Sequence, residues 1–291
     1  MKFQPWQVVD AMQIIETGPD RYQPDPEYIY ATDPKIRVDQ RRLALIVGLI
    51  ALGLPVAMLL GSILGACFYD SISHYYYAQF WGDVFVGSLI FIGTFMIAYR
   101  GGNPSESKIA TFAGFCAFVV AAIPTSGRGC PLEEFSGRAL ADFQRLNQAE
   151  FVTVIPASAG NSHFELFLNA STYHFIAAAI LFAVLAYYSF IVFTRMKPDQ
   201  YDSTQQPNNV KRNRNRIYII SGTLIVLSIA ALGLNALIGF SFWNNYNLTF
   251  WFEALALWAF GFSWMVKGRW FFGLDLMDTE DRRDQVLSKA E

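Results

Sequence analysis

A short polar stretch, Asp70–Asp83, holds several of the residue types that bind polar ligands or catalyse reactions. It contains Ser71, Ser73, His74 and Asp83, and it lies between two long apolar runs with no lysine or arginine inside it. Histidine and carboxylate side chains can transfer protons or bind metals, and serine hydroxyls can stabilise an oxyanion. An ionisable group at membrane depth is energetically costly, so this stretch indicates a functional surface.

Three ionisable residues stand at the start of later apolar runs. Asp83, His174 and Glu253 open the second, fourth and sixth runs. The helix dipole stabilises a carboxylate in the first turn of a helix by about 0.3–1 kcal/mol. That effect can account for one such residue, but it accounts less well for ionisable residues at three corresponding positions. Glu253 lies deeper than capping requires, and we expect it to pair with Arg128 or His174. The sequence therefore predicts one polar pocket, lined by Ser71, Ser73, Asp83, Arg128, His174, Asn235 and Glu253.

A metal site is the sharper alternative for the same surface. The three histidines of the chain, His74, His163 and His174, could hold Zn²⁺ together with a carboxylate. A zinc-bound water would then attack a lipid amide or ester, with Ser71 or Ser73 stabilising the oxyanion. The chain has no HxxxH or HExxH pair on a helix, so no cofactor is the primary expectation.

The chain has three cysteines, two of which are candidates for a disulfide. Cys116 lies within the third apolar run and is expected to pack there. Cys67 ends the first run and Cys130 follows the third, on the same predicted side of the membrane. In an oxidising compartment these two could pair and tie the segment after the third run to the bundle.

Membrane-spanning helices must position all of these residues. The chain has 291 residues, 53% hydrophobic and 16% charged, whereas soluble domains average about 25% charged. Several apolar runs are long enough to cross a hydrocarbon core of about 30 Å. The expected fold is an all-α, polytopic membrane bundle of six transmembrane helices. Its predicted spans cover residues 43–68, 82–99, 109–124, 172–194, 217–240 and 249–266.

Three segments lie outside the predicted spans. Residues 1–42 form a polar N-terminal tail with five prolines, and residues 269–291 form a C-terminal tail. Residues 125–171 are expected to form an outer cap. Within the cap, Ser136–Gln148 has the spacing of an amphipathic helix and Phe151–Ile155 the composition of a strand.

Lysine and arginine are concentrated on one predicted side of the membrane. That side carries the basic residues around 35–42, 100–108, 195–216 and 267–289, whereas the other side has only Arg128, Arg138 and Arg145. The positive-inside rule then places both termini in the cytoplasm and the polar pocket outside. Aromatic residues near the span ends are expected to lie in the membrane interfaces, among them Tyr75, Tyr76, Tyr77, Trp81, Tyr99, Tyr218 and Trp264.

Three classes of function are compatible with these features. The leading hypothesis is a protein without enzymatic activity that binds a lipid or small polar ligand in the outer pocket, for sensing or transport. The alternatives are a metal-dependent hydrolase of a lipid amide or ester and a channel or proton-coupled carrier. The expected partners are membrane lipids. A net charge of −2 gives no general attraction to nucleic acid. The oligomeric state does not follow from the sequence.

Several short motifs resemble a group of uncharacterised bacterial membrane proteins. They are Ser71-Ile-Ser73 with Tyr75-Tyr76, Asp83-Val-Phe-Val-Gly87, Tyr99-Arg-Gly101, Tyr173-His174-Phe175 and the run from Phe252 to Gly268. That group is similar to the family called domain of unknown function 998, which is likened to the Frag1/DRAM/Sfk1 membrane proteins. The resemblance covers residues 43–268 and implies six or seven helices in a bacterial inner (plasma) membrane, with no particular activity.

A more distant similarity is to the ceramidase and adiponectin-receptor hydrolase superfamily. Those proteins resemble this chain in having serine, histidine and aspartate near early helices and further histidines near a late one. The chain departs from their pattern because its last apolar run has no paired histidines and it has six predicted spans instead of seven.

Overall fold

Six long helices form the part of the chain that the structure, a computed structural model, describes. The described residues are 34–64, 68–125, 153–158, 161–165, 169–195 and 209–269. The helices are α1 Pro34–Ile63, α2 Gln79–Ala98, α3 Pro104–Ala122, α4 Ala170–Tyr187, α5 Asn209–Ile238 and α6 Leu248–Lys267. A π-helical turn, Tyr188–Val192, continues α4, and short 3₁₀ helices at Ser73–Tyr77 and Asn244–Tyr246 precede α2 and α6.

All six helices are long and apolar enough to cross a membrane. This confirms the predicted all-α bundle of six transmembrane helices. Helix α1 continues through Pro55. Because Cys67 and Cys130 lie outside the described residues, the candidate disulfide stays a prediction, and Cys116 is a buried free cysteine.

Three helices, α1, α3 and α5, begin well before their predicted spans. Helix α3 begins at Pro104 because the Asn103 side chain accepts a hydrogen bond from the Glu106 amide at 2.9 Å, and proline is favourable at the first helical position. Because it starts at Pro104, the helix has 19 residues and is long enough to cross the membrane. Helix α5 begins at Asn209, so the basic run Lys211–Arg216 forms helical turns and not a loop.

The six helices pack as a closed ring. Each helix packs against the next in sequence, and α6 packs back against α1. Glycines permit the close contacts: a Cβ on Gly261 would lie 2.7 Å from the Gly48 carbonyl oxygen, and a Cβ on Gly114 would lie 2.5 Å from that of Gly93. Gly87, by contrast, would have no atom within 4 Å of an added Cβ.

A β-hairpin lies between α3 and α4 in the chain. Strand β1, Thr153–Ser158, pairs antiparallel with strand β2, Asn161–Glu165, and Ile155 lies opposite His163. Strand β1 overlaps the predicted strand Phe151–Ile155. The predicted amphipathic helix Ser136–Gln148 lies outside the described residues.

The alternating helix directions bring two sets of helix termini together. We call the end formed by residues 69–78, 123–125, 170–174 and 248–253 the histidine end. The opposite end, formed by residues 99–107, 188–195, 209–218 and 264–269, is the arginine end. Between them the core is mainly apolar.

The prediction that aromatic rings form belts in the membrane interfaces is wrong for several of the rings. At the histidine end Tyr75, Tyr76 and Tyr77 are buried within the protein, whereas Tyr173 and Tyr246 are exposed. At the arginine end the expected belt residues Tyr99, Tyr218 and Trp264 are buried. Tertiary packing therefore uses these rings inside the bundle, although their composition is typical of a membrane interface.

Candidate functional site

The carboxylate of Glu253, in the second turn of α6, binds the connection between α1 and α2. The Ser71 hydroxyl lies 3.0 and 2.9 Å from its two oxygens, and the Ile72 amide donates to it at 2.6 Å. Glu253 thus holds the start of the 3₁₀ helix Ser73–Tyr77, where backbone amides face a negative charge. The expected partners were His174 and Arg128. Glu253 instead contacts Ser71 and Ile72, and Arg128 lies outside the described residues.

His174, in the first turns of α4, bridges α3 and the same connection. Its Nδ1 lies 2.6 Å from the carbonyl oxygen of Ile123, and its Nε2 lies 3.1 Å from the Ser73 hydroxyl oxygen. A carbonyl oxygen can only accept, so Nδ1 carries the proton. In the neutral ring Nε2 must then accept, and the Ser73 hydroxyl donates to it. The histidine is 1% exposed.

Ser71 and Ser73 join these two sets of contacts into one network. The Ser73 amide donates to the Ser71 hydroxyl oxygen at 3.1 Å. A second bond, from the Phe250 amide to the Asp70 carbonyl oxygen at 2.8 Å, fixes the first turn of α6 against the connection. Four of the residues predicted for the pocket, Ser71, Ser73, His174 and Glu253, therefore meet, although α4, α6 and the connection are far apart in sequence.

Helices α4 and α6 enter this site through asparagines with left-handed backbones. Asn169 and Asn247 have φ angles of 62° and 50° and stand at the N-cap positions of the two helices. Asparagine adopts this conformation more readily than most residues. Ser171 lies within the first turn of α4.

A second acid–base pair lies beside the network. The imidazole Nδ1 of His74 contacts a carboxylate oxygen of Asp70, and both residues are buried. Burial also raises the pKa of the neighbouring Tyr69 and Tyr75 phenols, although the hydrogen bond between Tyr75 and Ser62 opposes this for Tyr75. Both phenols therefore stay neutral at physiological pH.

Two other described residues that were predicted for the pocket, Asp83 and Asn235, are not among the residues in these hydrogen bonds. Asp83 is exposed on α2. The side-chain oxygen of Asn235 accepts the Phe240 amide at 3.2 Å, so this residue closes the C-terminal end of α5. His163 lies in β2, where its backbone alone is described.

Two hydroxyl groups at this end were not predicted as site residues. The side-chain oxygens of Thr125 and Ser171 are buried and have no hydrogen-bond partner among the described residues. Thr125 follows Ile123 by two residues, and its carbonyl oxygen accepts the Tyr77 hydroxyl. Ser171 precedes His174 by three residues, about one helical turn. Serine and threonine are common near helix ends, so no sequence signal singles out these two.

Among the described residues, no group of three or more histidine, cysteine, aspartate or glutamate side chains could hold a metal ion. His74 and His174 contact different partners, Asp70 and Ser73. The zinc site involving His74, His163 and His174 stays a prediction.

The arginine end has a buried carboxylate of a different kind. Glu106, 1% exposed, accepts the Gly102 amide at 2.7 Å and the Asn103 side-chain amide at 3.0 Å, and it forms an ion pair with Arg195. The Tyr188 hydroxyl donates to the Glu106 carbonyl oxygen at 2.7 Å. These contacts fasten the start of α3 to the end of α4.

Aromatic rings fill the bundle at the arginine end. Trp264 is fully buried, with ring centroids 4.9 Å from Phe95 and 5.0 Å from both Tyr99 and Phe193. The ammonium group of Lys211 donates to the Phe193 carbonyl oxygen at 2.9 Å, at the C-terminal end of α4, where a cation is favourable. This end is therefore closed by rings and charged contacts.

No protein-family model, curated protein or solved structure matches the chain significantly. The resemblance to the domain of unknown function 998 group stays an expectation.

Proposed function

We propose that this integral membrane protein binds the headgroup of a membrane lipid at the histidine end. The observation that supports the proposal is the network of Ser71, Ser73, His174 and Glu253, which joins two helices and a connection at the level of the helix ends. The metal-dependent hydrolase and carrier alternatives stay predictions without such support.

The chemistry of this end favours a headgroup with its own hydrogen-bond donors. None of the described residues at the histidine end is lysine or arginine, whereas Asp70 and Glu253 are acidic. A purely anionic headgroup would meet no cation there. A zwitterionic headgroup with an ammonium group, such as phosphatidylethanolamine, would meet carboxylates and the hydroxyls of Thr125 and Ser171, which have no partner in the part of the chain that the structure describes.

Retention of lipid measures this binding directly. The full chain is placed in nanodiscs of phosphatidylethanolamine and phosphatidylglycerol in equal parts, and lipids kept after transfer to detergent are counted by native mass spectrometry. We expect the wild type to retain phosphatidylethanolamine, and His174→Gln to lower its retention about tenfold, because about 1.4 kcal/mol of hydrogen bonding changes affinity tenfold.

Asn235→Ala is the matched control, because Asn235 lies at the same end but only closes α5. Its lipid retention should equal that of the wild type. Equal retention in the wild type and His174→Gln would contradict the proposal.

We also propose that both termini lie in the cytoplasm of a bacterial cell and that the histidine end faces outward. The asymmetry of lysine and arginine supports this orientation. A reporter enzyme that is active only outside the inner membrane, fused at the C-terminus, should be inactive.

A further inference from the structure

We propose that Ser73 is a nucleophile and His174 its general base, and that together they transfer the acyl group of a lipid ester to water. This inference rests on the proposed lipid site and assigns a reaction to it. It requires no metal ion.

The geometry of the pair is that of an activated serine. The hydroxyl oxygen of Ser73 lies 3.1 Å from His174 Nε2, within the distance over which a base can remove a proton. The Ile123 carbonyl oxygen, 2.6 Å from Nδ1, fixes the tautomer and leaves the Nε2 lone pair directed at Ser73. A third group that orients the base completes the arrangement of serine hydrolases.

A separate set of contacts holds the backbone of Ser73. Its amide donates to the Ser71 hydroxyl oxygen, and the Ser71 hydroxyl in turn contacts the Glu253 carboxylate. Ser73 is therefore fixed by α6 through its backbone and by α4 through its side chain. Such positioning before the reaction lowers the entropic part of the barrier. Glu253 is a positioning residue in this scheme.

The reaction has two balanced halves. The Ser73 oxygen attacks the acyl carbon and its proton passes to His174 Nε2. The ester carbon–oxygen bond then breaks, and His174 returns the proton to the leaving alcohol. Water next attacks the acyl-serine and gives its proton to Nε2. The bond to Ser73 breaks, the Ser73 oxygen regains the proton, and a carboxylic acid leaves.

The developing negative charge on the acyl oxygen needs hydrogen-bond donors. The hydroxyls of Thr125 and Ser171 are buried and have no partner within the described ranges of the chain. They lie close in sequence to Ile123 and His174, the two residues that form the Nδ1 bond. We assign them as the donors, since a donor that is not engaged elsewhere loses nothing when the oxyanion forms.

An alkyl fluorophosphonate probe, which modifies activated serines, tests the proposal. The full chain in the same nanodiscs is incubated with the probe, and the modified peptide is identified by mass spectrometry. We expect the adduct on Ser73, and we expect His174→Gln to slow its formation about 100-fold or more, as for loss of a general base. Ser263→Ala is the control, because Ser263 is a buried serine whose partner is Ser189 and not a histidine. It should label like the wild type.

The outcomes separate this proposal from the lipid site. Mapping the adduct on the wild type does not depend on whether a variant folds. If Ser73 remains unmodified, or is modified equally fast in His174→Gln, the acyl-transfer proposal is wrong. If phosphatidylethanolamine is still retained by the wild type and lost from His174→Gln, the binding proposal survives that result.

Discussion

At the arginine end the carboxylate of Glu106 pairs with Arg195, whereas at the histidine end that of Glu253 binds neutral groups, the Ser71 hydroxyl and the Ile72 amide. A buried carboxylate that is paired with a cation and also accepts hydrogen bonds from amides has mainly a structural role. The carboxylate of Glu253 has no lysine or arginine among the described groups that bind it. Glu106 thus has a structural role, whereas Glu253 belongs to the proposed lipid site.

Aromatic rings fill the arginine end, where Trp264 is enclosed by Phe95, Tyr99 and Phe193. Both ends nevertheless have buried polar atoms without a hydrogen-bond partner among the described residues. They are Trp264 Nε1 and Arg195 Nε at the arginine end and the hydroxyls of Thr125 and Ser171 at the histidine end. Buried polar groups without partners cost stability, so a ligand that engages them would recover that free energy.

The largest effect on stability is expected from Glu106→Gln. The change removes the charge that compensates Arg195, and loss of one partner of such a pair should lower the free energy of unfolding by about 3 kcal/mol. Thermal unfolding followed by tryptophan fluorescence in nanodiscs measures the loss. Asp83→Asn, at an exposed carboxylate, should change stability by less than about 0.5 kcal/mol. If both variants melt alike, the structural role given to the arginine end is wrong.

A smaller loss of stability is expected from Gly114→Ala, at a glycine that lies between the two ends. The added methyl group would lie 2.5 Å from the Gly93 carbonyl oxygen, a backbone atom that cannot move aside cheaply, and should cost about 2 kcal/mol. Gly87→Ala, with nothing within 4 Å, should melt like the wild type or slightly higher. If the ends are independent, Gly114→Ala will retain phosphatidylethanolamine normally below its melting temperature. Loss of lipid there would show that the ends are coupled.

Of the three changes that are expected to lower stability, Glu253→Gln should lower it least, because glutamine can still accept hydrogen bonds through its oxygen. We expect a loss of about 1 kcal/mol, since bonds to a charged group are stronger than those to a neutral one. Yet fluorophosphonate labelling of Ser73 should slow about tenfold, the factor that 1.4 kcal/mol gives. Glu106→Gln, although less stable, should label at the wild-type rate. If Glu106→Gln slowed the labelling of Ser73 more than Glu253→Gln did, the different roles given to the two ends would be wrong.

The sequence predicted the bundle well because the thickness of a membrane sets the length of its helices. It placed the start of α3 too late because the polar residues Ser105, Glu106, Ser107 and Lys108 have the composition of a loop. The signal that could have corrected this is Asn103-Pro104-Ser105-Glu106, in which a cap, a first-turn proline and an acceptor stand at helix-start spacing.

The site was predicted in part. Ser71, Ser73, His174 and Glu253 could be grouped because their runs begin at the same membrane level. Their pairing could not be predicted, because it depends on the path of the connection between α1 and α2, which brings Ser71 to Glu253 and Ser73 to His174. The hydrogen bond between Asn235 and the Phe240 amide could not be predicted either, because the apolar run gives no sign that α5 ends at Ile238, three residues later.

The closure of the helix ring has a consequence for how the protein is made. Helix α1 emerges first during synthesis, but the face of α1 that carries Gly48 packs against Gly261 of α6, the last helix. Until α6 has entered the bilayer, that face of α1 remains in contact with lipid or with the insertion machinery. Glu253, which also arrives with α6, then fixes the connection that Ser71 belongs to. The contact of Glu253 with Ser71 and Ile72 can therefore form only after α6 has been made, whereas the pairing of Ser73 with His174 needs only the helices up to α4.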